Sequence, residues 1–126
     1  MEKRIVVSGT ILIIIAIILG AFGAHGLKEL ISIEKLNSFE VGIRYQMYIG
    51  ICLLIIGINA EKLKFSLKII FNLMMIGVVF FSASIYLLSL QELTSISLKF
   101  LGLITPIGGT LMIIGFCILL VKLIRS

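Results

Sequence analysis

The chain has 126 residues, a hydrophobic fraction of 60%, only 13% charged residues and a mean hydropathy of +1.27. A soluble domain is about half apolar and about a quarter charged, and a small core leaves too much of the chain in water to hide this excess, so a soluble globular domain is excluded. The formal net charge of +5 sits in short clusters between apolar runs, which points to lipid headgroups and membrane topology and away from nucleic acid.

The first apolar run, at about 5–24, contains no charged residue. It is long enough for a hydrocarbon core of about 30 Å and exceeds the apolar region of a signal peptide, typically about 7–15 residues. It is therefore expected to stay as a span, although Ala21-Phe22-Gly23 would serve as a cleavage site. Residues 25–40 mix Lys28, Glu29, Glu34, Lys35 and Glu40 with Leu27, Leu30, Ile31, Ile33, Leu36 and Phe39, the pattern of an interfacial, partly helical connection. Further spans are expected at about 41–60, 65–90 and 98–123, separated by the turn Glu61-Lys62-Leu63-Lys64 and a polar loop from Gln91 to Ser97. The expected architecture is one all-α membrane domain over 1–126, a bundle of four transmembrane helices.

Four crossings place both termini and the turn at 61–64 on one side. That side holds Lys3, Arg4, Lys62, Lys64, Lys68, Lys122 and Arg125; the other holds Lys28, Lys35, Arg44 and Lys99. Orientation follows the excess of Lys and Arg on short loops, so both termini are expected in the cytoplasm of a multi-pass cell-membrane protein. Cys52 and Cys117 lie inside apolar runs at different depths, without the spacing of a zinc site, so no metal, cofactor or disulfide is expected.

Four segments carry polar content, and the topology places each in the outer half of its helix. In the first, Ala16, Gly20 and Ala24 recur every four positions beside Gly23, a small-residue stripe suited to close helix packing, followed by the lone histidine, His25. In the second, Arg44-Tyr45-Gln46-Met47-Tyr48, Arg44 either snorkels to phosphates or pairs inward with His25, helix carbonyls or an anion. In the third, Ser82 and Ser84 can bond across helices or back to their own carbonyls, and Tyr86 shares a face with Ser82. In the fourth, Thr105-Pro106 precedes the small pair Gly108-Gly109. Pro106 removes one helical hydrogen bond, so the fourth helix is either kinked there or starts there with Thr105 as its cap. The candidate polar cluster is therefore His25, Arg44, Tyr45, Gln46, Tyr48, Ser82, Ser84, Tyr86, Thr105 and Pro106, with Ala16, Gly20, Gly23, Ala24, Gly108 and Gly109 as packing positions.

These ordered segments resemble the YgdD-like family, domain of unknown function 423, also known as uncharacterised protein family 0382. The residues that carry the resemblance are Gly20-Ala21-Phe22-Gly23-Ala24-His25-Gly26-Leu27-Lys28, Arg44-Tyr45-Gln46-Met47-Tyr48, Phe81-Ser82-Ala83-Ser84-Ile85-Tyr86-Leu87-Leu88 and Ile104-Thr105-Pro106-Ile107-Gly108-Gly109. The resemblance implies a small multi-pass membrane protein with no established activity. Two positions depart from the family pattern: Ile49 stands where a histidine is common, and Phe116 where a tryptophan is common.

Three roles compete. A structural or accessory protein would pack with membrane lipids, a second copy of itself or a partner membrane protein. A small transporter, channel subunit or anion and headgroup binder would use the outer polar cluster, though no carboxylate lies within a span to couple cations. An intramembrane enzyme would need a base for Ser82 or Ser84, and only His25 is available; no catalytic residue is expected.

Overall fold

The computed structural model describes all 126 residues and contains no strand. Four helices are long and apolar enough to cross a membrane: α1 (Lys3–His25), α2 (Ile33–Ile58), α3 (Lys68–Leu93) and α4 (Leu101–Arg125). The fold class therefore agrees with the sequence; the start of α2 differs from it, and Pro106 falls within the fourth helix.

Helix α2 begins at Ile33, not near 41. Ser32 caps it, its hydroxyl accepting the Lys35 N–H at 3.2 Å, and Glu34 in the first turn favours the positive end of the helix dipole. The mixed segment expected to lie along the interface is thus partly the amphipathic start of a transmembrane helix. Phe39 turns inward and is buried, while Glu34 is exposed. At 26 residues α2 is about 39 Å long, longer than the hydrocarbon, so its first turns project into the headgroups. The remaining connection is short and tied down: Leu27, Ile31 and Phe39 form a small buried cluster with Leu36, Ile43, Tyr86 and Leu90 packed against it.

Helix α3 is α-helical over Lys68–Val78, widens into a π turn at Val79–Ala83, resumes over Ser84–Leu90 and closes with a tight turn at Gln91–Leu93. Helix α4 runs from Leu101, entered by tight turns whose first acceptor is the Leu98 carbonyl, so its start is close to the expected 98 and Pro106 lies inside it. The proline is accommodated because it lies in the opening turns: the carbonyl it deprives of a donor, that of Gly102, belongs to an exposed residue without a side chain.

The principal interfaces follow chain order, α1 on α2, α2 on α3 and α3 on α4. Burial reflects this, with 39% and 33% of the apolar windows of α2 and α3 buried against 22% and 17% for α1 and α4. A shared apolar core runs through all four, including Ile5 and Leu12, Ile49 and Leu53, Met74 and Val78, Met112 and Leu119. At the end bearing the termini, the Glu2 N–H bonds the Gly57 carbonyl at 2.9 Å and the Met1 amine bonds Glu61 at 2.8 Å. That hydrogen bond and the ammonium charge hold the exposed Glu61 carboxyl below its ordinary range.

Two crossings are backbone-close, and glycine makes both possible. A Cβ on Gly9 would stand 2.7 Å from the Gly50 carbonyl oxygen of α2, and one on Gly57 would stand 2.8 Å from Val6. Between α3 and α4, a Cβ on Gly108 would stand 2.6 Å from the Gly77 carbonyl oxygen, and one on Gly77 2.7 Å from Met112. Of the expected packing positions, Ala16 is buried, and a Cβ would stand 3.4 Å from Phe39 on Gly23 and 3.5 Å from Phe81 on Gly109, contacts without such constriction. A Cβ on Gly20 would have only Ile43 near it, at 4.0 Å, and Ala24 is exposed. Close helix approach in lipid relies on van der Waals packing and small residues, so Gly9→Ala and Gly108→Ala should each lower the unfolding free energy by about 1–3 kcal/mol. Gly20→Ala should instead leave it unchanged or raise it by about 0.5–1 kcal/mol, because a helical glycine without a close neighbour only adds chain entropy to the unfolded state. Denaturation titrations in mixed micelles measure the three side by side.

Candidate functional site

Five polar side chains on α2, α3 and α4 form three neighbouring hydrogen-bonded groups, a belt that together touches every helix. Its centre is Gln46 on α2, only 5% exposed. The amide Nε2 donates to the Leu12 carbonyl of α1 at 2.9 Å, and Oε1 accepts the Tyr86 hydroxyl of α3 at 2.6 Å. A carbonyl can only accept, which fixes the amide orientation. Ser82 donates to the Gly42 carbonyl of α2 at 2.7 Å, a second tie between α2 and α3. Gly42 is needed there, since a Cβ would sit 2.7 Å from the Tyr86 ring, which also packs tilted on Phe39 with centroids 5.0 Å apart. On the opposite side of α3, Ser84 donates back to the Phe81 carbonyl at 2.9 Å and shares a hydrogen bond with Thr105 of α4.

A π turn lies among these groups on α3. It inserts one extra residue into the helical turn at 79–83, directly before Ser84. Ser82 and Ser84, two residues apart, then face opposite neighbours, α2 and α4, and Tyr86 returns to the side of Ser82.

Five of the ten candidate cluster residues therefore make hydrogen bonds between helices: Gln46, Ser82, Ser84, Tyr86 and Thr105. The other five stand apart. Arg44 points outward, 3.6 Å from Glu40 one turn back on its own helix, with both side chains substantially exposed. His25 is the exposed last residue of α1. Tyr45 and Tyr48 are exposed and meet edge-on at 5.6 Å, Tyr45 also touching Phe81. Pro106 is exposed within α4. Neither serine has a histidine or carboxylate as hydrogen-bond partner, and no group of three or more His, Cys, Asp or Glu side chains is placed to hold a metal ion.

Sequence reading missed the acceptor half of the belt, the carbonyls of Leu12 and Gly42, which carry no side-chain signature. It also missed Gly9, Gly50, Gly57, Gly77 and Gly115. A signal was present for some of these: Gly50 and Gly57, and Gly108 and Gly115, are each seven residues apart, which returns to the same helix face.

Four apolar helices tied together by buried polar side chains define a multi-pass integral membrane protein. Residues 19–109 match the family described as "Protein of unknown function (DUF423)". A UPF0382 membrane protein of Staphylococcus aureus (strain bovine RF122) is 40% identical over 94% of this chain and 93% of its own length. The UPF0382 membrane protein YwdK of Bacillus subtilis is 38% identical over 98% of both chains. The chain belongs to this family, whose names record membrane residence and no activity. No solved structure matches it.

Interhelical hydrogen bonds in membrane proteins are worth about 0.6 kcal/mol on average and up to about 1.7 kcal/mol. Gln46→Leu and Tyr86→Phe should each fall in that range or somewhat above it, the excess coming from a hydroxyl or amide left without its partner. The double variant should lose less than the sum, because both changes break the same bond. Arg44→Ala should change stability by less than about 1 kcal/mol, as expected for an exposed ion pair within one helix. A double-mutant cycle in mixed micelles reads all four values.

Proposed function

We propose that this chain is a non-enzymatic accessory protein of the cell membrane, a preformed four-helix scaffold that acts through surface contacts with lipids and neighbouring membrane proteins, its own copies included. One observation carries the reading: the polar side chains that a solute path through the helices would need are bonded to one another and to helix carbonyls. Exposed apolar residues on the edge helices support it, among them Ile14, Ile17 and Ile18 on α1 and Ile113, Leu120 and Ile124 on α4. The bias of seven basic residues against four supports an orientation with both termini in the cytoplasm.

The expected outcome in proteoliposomes is no flux of anionic or neutral solutes above that of empty vesicles, together with a discrete complex trapped by photo-crosslinking from α1 or α4 in intact cells. Solute flux that is abolished by Gln46→Leu would replace the scaffold with a transporter. For orientation, single cysteines at Lys64 and Lys99 should label from the cytoplasmic and outer faces respectively; the reverse pattern inverts the topology.

A further inference from the structure

One buried polar group stands outside the belt. The Ser89 side chain on α3 is 1% exposed and its hydroxyl has no hydrogen-bond partner in the protein. Ser89 lines a crevice of about 390 Å³ between the start of α2, the end of α3 and the start of α4. Lys35 and Ser38 of α2 line it from one side, Ile85 and Leu88 of α3 supply apolar wall, and Gly102 of α4 closes the other side. Lys35 is half-buried, and no carboxylate lines the crevice to neutralise it. Gly102 contributes the carbonyl whose helical donor is missing because residue 106 is proline.

We propose that this crevice binds a phosphate-bearing group. Lys35 supplies the charge, and the hydroxyls of Ser89 and Ser38 donate to phosphate oxygens, which gives the Ser89 hydroxyl the partner it lacks within the protein. An ammonium and hydroxyl donors without a competing carboxylate are the recognition chemistry of an oxyanion. The Gly102 carbonyl accepts from an N–H or O–H that the same ligand carries. Two sources share this chemistry, a phospholipid headgroup and free phosphate. Position favours the headgroup: Ser89 is one residue from the end of the α-helical part of α3, beside the polar loop that follows this span. Exposed Leu87, Leu103 and Ile107 offer apolar surface to acyl chains. The crevice borders the belt at Thr105, but neither Lys35 nor Ser89 bonds to a belt residue, so its failure leaves the scaffold reading standing.

The test is thermal unfolding of the detergent-solubilised full chain, titrated separately with phosphatidylglycerol, with diacylglycerol and with inorganic phosphate. Phosphatidylglycerol is expected to raise Tm and diacylglycerol to leave it unchanged. Lys35→Gln and Ser89→Ala should each weaken phosphatidylglycerol binding about ten-fold, while Lys99→Gln, which lies outside the crevice, should bind as the parent does. An equal shift with inorganic phosphate makes the ligand a free anion; no shift with it makes the ligand a lipid. Ser89→Ala also reads the hydroxyl directly, because without ligand it should be as stable as the parent or more so. Equal shifts from diacylglycerol, unaltered binding by both variants, or a less stable ligand-free Ser89→Ala each overturn the proposal.

Discussion

Lipid hydrocarbon accepts and donates no hydrogen bonds, and the rest of this structure depends on that constraint. Backbone groups are satisfied by making the spans helical. Polar side chains within the helices have no such internal solution unless they bond back to their own carbonyls, as Thr10 does to Val6 and Thr110 to Pro106. Gln46, Ser82 and Tyr86 instead reach across to neighbouring helices. Each of these bonds is modest, but the carbonyl or hydroxyl it uses is available at only one helix register, so the bonds fix rotation and depth as well as adding stability.

The close glycine crossings follow from the same requirement. Side-chain hydrogen bonds at 2.6–2.9 Å require the helices to approach closely, and Gly9 facing Gly50 and Gly77 facing Gly108 permit that approach. The two glycine crossings lie on the outer pairs, α1 with α2 and α3 with α4. The α2–α3 interface uses a different device: the Tyr86 ring lies against Gly42 while Ser82 takes the Gly42 carbonyl. Gly42 therefore serves both packing and hydrogen bonding, and a side chain there would disturb the two together.

The spans were legible because a long run of aliphatic residues has no other stable home, and Gln46, Ser82, Ser84, Tyr86 and Thr105 were legible as polar residues interrupting such runs. Their partners were not, since a backbone carbonyl looks the same at every residue and the π turn follows from packing, with no motif of its own. Arg44 and His25 drew attention because charge near a membrane is conspicuous. The start of α2 at Ile33 explains why Arg44 does not turn inward: Glu40 lies one helical turn toward the headgroups on the same face, and a long side chain reaches in that direction more readily than into an apolar interface. The small-residue stripe at Ala16, Gly20 and Ala24 had the right period, but the backbone contact forms nearer the other end of α1, at Gly9, which has Gly50 opposite it.

A belt this complete changes the meaning of an unmatched polar group. Five side chains at the centre of the protein find partners on other helices, so the fold is able to satisfy buried polarity where the chain alone must do so. Ser89 is equally buried, one turn from Ile85 on a regular helix, and has no partner. Across the crevice from it, Pro106 deprives a carbonyl of its donor in a helix that a different residue would have continued undisturbed. A donor and an acceptor left open on residues that line one crevice, beside a half-buried lysine, match the proposed ligand, which carries an oxyanion and a donor of its own. In a bundle whose interior is closed by its own hydrogen bonds, the boundary with the headgroups is the place where a partner from outside the chain completes the pattern.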